Sequence, residues 1–250
     1  MSATYSTSHY QAIGRVEREH FWFAARSRLL RRCLIRYSGA SVGKTFLEVG
    51  CGTGIIIRLL ESLGFRVTGL DVNQMALAYA RKGTRAKLIR KSFYSFTSRQ
   101  KFYAVGMFDV LEHQGNDLLF LQRAAQLLQD NGFLYLTVPA GMWLWSEIDS
   151  LSGHKRRYEA EGLKSLIERA GFSPVFCNYW QVASLPFYLL WRYLWRFKNK
   201  RNIASYVNPP DGMLNQLLFW LLVVEQQIIF RIRFPAGASL LVVAQKKRIR

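Results

Sequence analysis

The sequence predicts an α/β protein with a doubly wound, mainly parallel sheet of seven strands. Short apolar segments of strand length alternate with longer segments of helical periodicity from residue 45 onward, a pattern typical of parallel sheets with helices on both faces. The first apolar segment runs directly into a glycine-rich turn, residues 50–54. Half of the 250 residues are apolar, which is enough for a full core and excludes a disordered or collagen-like chain.

The elements divide the chain into four segments. Residues 1–44 form a helical leader, 45–184 the α/β core, 185–237 an apolar and basic helical insertion, and 238–250 the last strand with a basic tail. In the core, strands are predicted over residues 45–49, 65–70, 87–90, 103–108, 132–138 and 175–183, and helices over 55–63, 73–82, 117–128 and 159–170. The last strand is predicted over residues 239–245.

The glycine turn predicts a flat or anionic ligand, because glycines lack Cβ atoms and leave backbone N–H groups accessible. A dinucleotide-binding turn would carry its third glycine one place later than Gly54. The acidic residues Glu48, inside the first strand, and Asp71, at the end of the second, favour a ligand with a cationic amino group and a ribose diol. S-adenosylmethionine carries both groups.

These segments resemble a known family. Residues 46–54 followed by 69–71, together with 108–113 and 132–139, are similar to class I S-adenosylmethionine-dependent methyltransferases. The resemblance implies that residues 239–245 form a reversed edge strand and that Glu48 orients the methionine amino group. It further implies that the methionine moiety is lined by Gly50, Cys51 and Gly52, that the ribose hydroxyls bind Asp71, and that the cofactor is flanked by Phe108 and Asp109.

Two further segments, 19–26 and 153–158, resemble a bacterial subgroup of these enzymes associated with surface-glycan or lipid-linked pathways. This resemblance implies a leader that acts as a lid, with Trp22 and Arg26 contacting the cofactor. For Trp22 the alternative is a helix that packs its aromatic residues on the sheet. The acidic residue expected after the third strand, beside adenine, is missing, so adenine contacts are expected from Ser92, the backbone or Phe93.

Two histidines are the candidates for a catalytic base. His113 and His154 follow the fourth and fifth strands, at the carboxyl edge where open α/β sheets bind ligands. Either could accept a proton near neutral pH, and the alternative for each is a structural role in its loop. The neighbouring residues Arg156, Arg157 and Tyr158 are candidates for substrate binding. We expect no metal site, because the two histidines are far apart in sequence.

The charge of the chain predicts an anionic partner, since 35 lysines and arginines against 16 acidic residues leave a net charge of +19. In the stretch 187–201 an aromatic row that includes Trp191 and Trp195 lies beside a basic row that includes Arg192 and Arg196. This pattern predicts a helix at an anionic membrane surface. The alternative is an aromatic helix packed on the domain.

The sequence therefore predicts a methyltransferase that uses S-adenosylmethionine to methylate an amphipathic acceptor, isoprenoid or lipid-linked, at the cytoplasmic face of a membrane. The alternatives are a cytosolic small-molecule methyltransferase, a nucleic-acid methyltransferase and a non-catalytic S-adenosylmethionine binder. Three cysteines without a paired motif and a polar N-terminus favour a cytoplasmic location. The aromatic and basic stretch 187–201 favours a peripheral position on the inner face of the membrane. The acceptor atom and the oligomeric state are left open.

Overall fold

The computed structural model describes residues 14, 16–195 and 209–248, with the backbone alone at 191–195. The strands are β1 (Thr45–Val49), β2 (Arg66–Asp71), β3 (Lys87–Arg90), β4 (Phe102–Phe108), β5 (Leu128–Pro139), β6 (Phe172–Trp180) and β7 (Ser239–Lys246). The helices are α1 (Phe21–Ser38), α2 (Ile55–Ser62), α3 (Gln74–Ala80), α4 (Asp117–Leu127), α5 (Glu147–Leu151), α6 (Ala160–Arg169), α7 (Leu185–Trp195) and α8 (Gly212–Ile228).

The seven strands form one sheet in the order β3-β2-β1-β4-β5-β7-β6. Neighbouring strands from β3 to β5 are parallel, and β7 runs antiparallel to both β5 and β6. The predicted fold class is confirmed.

The predicted place of the last strand is wrong, because β7 lies between β5 and β6 and is not an edge strand. Each residue from Leu240 to Ala244 is fully buried. A continuous apolar run of this kind is typical of a strand covered on both faces and paired on both sides. The sheet edges are β3 and β6.

Strand β6 begins at Phe172, three residues before the predicted start, and continues through Pro174. Proline lacks the N–H group that a central strand needs, but an edge strand tolerates it. The register of β6 against β7 shifts between Pro174 and Phe176, which accommodates the ring. The proline therefore marks an irregularity within an edge strand, where the sequence pattern had suggested a strand start.

Two apolar layers cover the sheet. On one face, α4 and α6 contribute residues such as Phe120 and Ile167. On the other face lie α1, α2 and α8, with Leu29, Ile57 and Leu222 fully buried or nearly so. Helix α1, which belongs to the predicted leader, is thus part of the core.

The insertion between β6 and β7 joins this second layer through α8. The side-chain amide of Gln226 donates to the carbonyl of Ala25 at 2.8 Å, and that of Asn215 donates to the carbonyl of Glu19 at 2.7 Å. Both contacts fasten α8 to α1 and the turn before it. None of the described helices is both long and apolar enough to cross a membrane.

Candidate active site

The glycine turn leaves β1 with three positive φ angles: +69° at Gly50, +51° at Gly52 and +79° at Gly54. A Cβ atom at Gly50 would lie 2.6 Å from Val110, so this position has no room for a side chain. At Gly52 no atom of the described chain lies within 4 Å of where a Cβ would be. The turn therefore packs tightly at its start and faces open space at its centre, where a ligand can approach the backbone.

Asp71, at the end of β2, connects the turn to the next loop. One carboxylate oxygen accepts a hydrogen bond from the amide of Gly52 and the other accepts from the amide of Asn73, both at 2.8 Å. A carboxylate has about four acceptor positions. Asp71 thus orients the turn and keeps acceptor capacity for the hydroxyls of a ribose.

Glu48 is the acidic residue inside β1, and only 3% of its surface is exposed. Its Oε2 atom has no hydrogen-bond partner among the described residues. Burial raises the pKa of Glu48 to about 8, against the opposing effect of the Arg26 guanidinium. A buried carboxylate without a partner is costly, and a cationic amino group would supply the missing contact.

Arg26 brings positive charge to this region from α1. Its Nη2 atom forms an ion pair with Asp109, 2.8 Å from Oδ2, and that oxygen has no hydrogen-bond partner among the described residues. The guanidinium also lies over the ring of Trp22, 5.0 Å from its centroid. Asp109 itself has a φ of +58°, a conformation that costs energy for a residue other than glycine.

The two aromatic residues predicted to contact the cofactor pack against protein. Trp22 stacks on Trp180 with 6.3 Å between ring centroids. Phe108 is 6% exposed and belongs to the apolar layer under α1 and α2. Phe93, expected beside adenine, packs in the core with its ring centroid 4.6 Å from that of Phe120. Ser92 is exposed.

The segment before α1 lies over the glycine turn, so the predicted lid would begin beside this turn. Glu17 accepts a hydrogen bond from the hydroxyl of Thr53 in the turn. Arg18 donates to the hydroxyl of Tyr79 on α3 at 3.1 Å. Gly14 lies so close to Tyr79 that a Cβ there would collide with its ring. The sequence pattern had not singled out Glu17 or Thr53.

The two candidate histidines meet at the carboxyl edge of the sheet, with their ring centroids 4.9 Å apart. His154 Nδ1 is 2.9 Å from Asp149 Oδ1, and His113 Nδ1 is 3.2 Å from the carbonyl of Gly153. Burial raises the pKa of Asp149, but hydrogen bonds from His154 and Arg157 outweigh it and lower the pKa to about 2. Asp149 is thus a carboxylate at neutral pH, so its hydrogen bond with His154 requires the proton on Nδ1.

Glu112 lies beside this pair and is fully buried. Neither of its carboxylate oxygens has a hydrogen-bond partner among the described residues, and His154 Nε2 is 3.9 Å from one of them. Burial and the nearby Asp109 raise the pKa of Glu112 well above its ordinary value. One donor atom each from Glu112, His113 and His154 lies within 4.8 Å of the others, a set that could hold a divalent cation. This cluster was not predicted, because Glu112 and His113 are far from His154 in the sequence.

The residues predicted to bind substrate have protein partners. Arg157 forms two hydrogen bonds to Asp149, at 2.8 and 3.0 Å. Arg156 and the hydroxyl of Tyr158 both donate to Asp117, at 2.9 and 3.0 Å. These contacts hold the loop that carries His154, residues 152–159 (the histidine loop), against α4 and α5. About a third of the Arg156 side chain is exposed, whereas those of Arg157 and Tyr158 are buried.

Comparison with known proteins agrees with this geometry. A family model described as a methyltransferase domain matches residues 17–175. The ubiquinone biosynthesis O-methyltransferase of Glaesserella parasuis is 29% identical over 106 residues, which cover 38% of this chain and 45% of that protein. The corresponding enzyme of Yersinia enterocolitica is 28% identical over 111 residues, covering 42% of this chain and 46% of that protein. The chain thus spans less than half the length of these curated relatives.

Solved structures share the fold. Phosphoethanolamine N-methyltransferase 2 of Haemonchus contortus, in complex with S-adenosyl-L-methionine, superposes with a TM-score of 0.62 at 15% identity and covers 99% of this chain and 59% of that one. A SAM-dependent methyltransferase of Archaeoglobus fulgidus gives 0.56 at 17% identity over 88% and 94% of the two chains. Because the family match includes the glycine turn, Asp71 and the histidine loop, the chain belongs to the family of methyltransferase domains.

Proposed function

We propose that this methyltransferase transfers a methyl group from S-adenosylmethionine to a hydroxyl oxygen of an amphipathic small molecule. The observation that carries the choice of oxygen is the pairing of His154 with Asp149, 2.9 Å apart, at the ligand-binding edge of the sheet. A hydroxyl must lose its proton during methyl transfer, and an imidazole oriented by a carboxylate is suited to accept it. The curated relatives named O-methyltransferases support the same acceptor atom.

The residues at the end of β1 and β2 fit the cofactor. Glu48 offers the amino group a buried oxygen that has no hydrogen-bond partner among the described residues, and Asp71 offers acceptor positions for the ribose hydroxyls. The open space over Gly52 lets the backbone of the turn approach the methionine moiety. When bound, S-adenosylmethionine supplies a methyl group activated by a positively charged sulfur.

His154 is the proposed base. With the proton on Nδ1 donated to Asp149, its Nε2 atom carries the free lone pair and can accept the proton of the acceptor hydroxyl. The Asp149 carboxylate then stabilises the imidazolium that forms. The rings of His113 and His154 meet edge to face, and burial together with His154 lowers the pKa of His113 below the ordinary histidine value. Among the described residues, the partner of His113 Nδ1 is the carbonyl of Gly153 and not a carboxylate.

The acceptor is proposed to be amphipathic and to be met at a membrane. The sequence pattern behind this proposal involves Trp191, Arg192, Trp195 and Arg196; the first three belong to the end of α7, whose side chains lie outside the described part of the structure, and Arg196 lies beyond it. The net charge of +19 favours an anionic surface. The relatives named for ubiquinone biosynthesis are consistent with a phenolic acceptor that carries an apolar chain.

The test is methyl transfer from labelled S-adenosylmethionine to a panel of phenols with increasing alkyl chain length. We expect label on the phenolic oxygen and a preference for the longer chains. Methylation of an amine or of RNA, with no labelled phenol, would contradict the proposal.

A chelator is added in a parallel reaction because Glu112 and the histidines could hold a cation. Since the proposed base acts without a metal ion, we expect turnover to be unchanged. Loss of turnover that returns when a divalent cation is restored would assign the activation of the hydroxyl to the cation in place of His154.

A further inference from the structure

Helix α8 presents an apolar stripe to the outside of the molecule. Met213, Leu217, Trp220 and Val224 are 87, 50, 59 and 65% exposed. Their spacings of four, three and four residues place them on one side of a helix. The stripe continues to Ile228, which is 39% exposed. A contiguous exposed apolar surface of this kind is typical of an interaction site.

The opposite side of α8 is packed on the domain, so the stripe cannot turn toward the core. Leu218, Leu222 and Val223 pack into the core, so α8 is already anchored by its inner side. The single charged residue of the helix, Glu225, also points inward, where it accepts hydrogen bonds from the amides of Gln181 and Ala183. The outer side therefore carries no charge that would have to leave water when a partner covers it.

Four arginines lie near the C-terminal end of α8. Arg32 of α1 donates to Gln227 of α8 at 3.0 Å, and Arg36 lies over the ring of Phe230, 5.6 Å from its centroid. Arg231 and Arg233, just beyond α8, are exposed. An apolar stripe bordered by arginines matches the boundary between the acyl chains and the phosphate groups of an anionic bilayer.

The length of α8 limits how it can meet a bilayer. Its 17 residues span about 25 Å, less than the roughly 30 Å of a hydrocarbon core. Because its inner side is packed on α1, the helix can offer only one side to lipid. This arrangement suits a helix that lies in the plane of the interface.

We propose that the outer side of α8, from Met213 to Ile228, docks this methyltransferase on an anionic membrane surface. The proposal deepens the proposed function, since it names the surface through which an amphipathic acceptor would be reached. Its test needs no acceptor and no turnover, so the two proposals can fail separately.

The test is co-sedimentation with vesicles of phosphatidylcholine that contain about a third phosphatidylglycerol, compared with pure phosphatidylcholine. We expect the protein to bind the anionic vesicles and to retain part of that binding at high salt, because apolar contacts are not screened. The double variant Trp220→Ser, Val224→Ser should bind at least about ten-fold more weakly. The matched control is Val42→Ser, which removes a side chain that is 85% exposed elsewhere on the surface and should bind like the wild type.

Three results would overturn the proposal: a wild type that does not sediment with anionic vesicles, a double variant that sediments equally well, or a wild type that is dimeric by light scattering while the double variant is monomeric. The last result would assign the stripe to a second copy of the chain. The affinity of the double variant for S-adenosylmethionine, measured by calorimetry, should equal that of the wild type. This result would show that the double variant is folded.

Discussion

The guanidinium of Arg26 lies 2.8 Å from the carboxylate of Asp109, so helix α1 is joined to the end of β4 by a partly buried ion pair. The same guanidinium opposes the raised pKa values of Glu17, Glu48 and Glu112. Four acidic side chains from separate parts of the chain thus interact with the same cation. This contact connects the leader with both Glu48 in β1 and the histidine cluster.

Replacing Arg26 by Gln should destabilise the protein by roughly 3 kcal/mol, because it leaves the partly buried Asp109 without its counter-charge. The free energy of unfolding in urea measures the effect. The control is Arg28→Gln, which removes an exposed cation from the same helix and should change stability by less than about 0.5 kcal/mol. Equal stability of the two variants would show that the ion pair contributes little.

Asp71→Ala should weaken binding of S-adenosylmethionine by about 100-fold, corresponding to roughly 3 kcal/mol for two charge-assisted hydrogen bonds. Part of this loss comes from the turn, because Gly52 loses the acceptor of its amide hydrogen bond. Calorimetry measures the dissociation constant, and Asp130→Ala, at an exposed site, is the control. Unchanged affinity in Asp71→Ala would remove this residue from the cofactor site.

Glu48 should release a proton when S-adenosylmethionine binds at pH 7. The pKa of Glu48 is raised to about 8, so the free protein holds the proton, and a cationic amino group beside the carboxyl favours its loss. Calorimetry in buffers with different ionisation enthalpies counts the released protons. Glu48→Gln cannot release a proton at this site and should show a smaller count. The same count in both proteins would place the amino group elsewhere.

The same residue predicts how the stability of the free protein depends on pH. A carboxyl whose pKa is raised on folding stabilises the protein most below its ordinary pKa of 4.5, and this contribution disappears as the pH rises through the folded value of about 8. Glu48→Gln should therefore be more stable than the wild type at pH 8, by on the order of 4 kcal/mol. Thermal unfolding between pH 5 and about 8 measures this difference; a difference that does not grow with pH would contradict the raised pKa.

His154→Gln should lower turnover by about 100-fold or more while leaving the affinity for S-adenosylmethionine unchanged, because a base acts only in the chemical step. His113→Gln is the control at the neighbouring ring and should lower turnover much less. Rates of labelled methyl transfer at saturating cofactor separate the two. Equal losses in both variants would assign the histidines a shared structural role.

The features that local sequence determines were predicted well. Strand and helix alternation follows from the periodicity of apolar residues, and β3 has the predicted bounds, residues 87–90. The glycine turn was also predictable, because it needs positive φ angles at Gly50, Gly52 and Gly54. Asp71 was predictable because it ends the next strand, which pairs with β1 and ends 17 residues after Gly54.

Only the tertiary structure decided which distant residues meet. The strand order places β7 between β5 and β6, and the pairing of β4 with β5 brings the loops after these strands together, so that His154 meets His113, 41 residues away in sequence. The pairing of Arg26 with Asp109 and the outward stripe of α8 likewise depend on how α1 and α8 pack on the sheet. Such contacts join segments whose local patterns carry no information about each other. The sequence therefore predicted the glycine turn, whereas the packed fold determined the histidine cluster and the exposed side of α8.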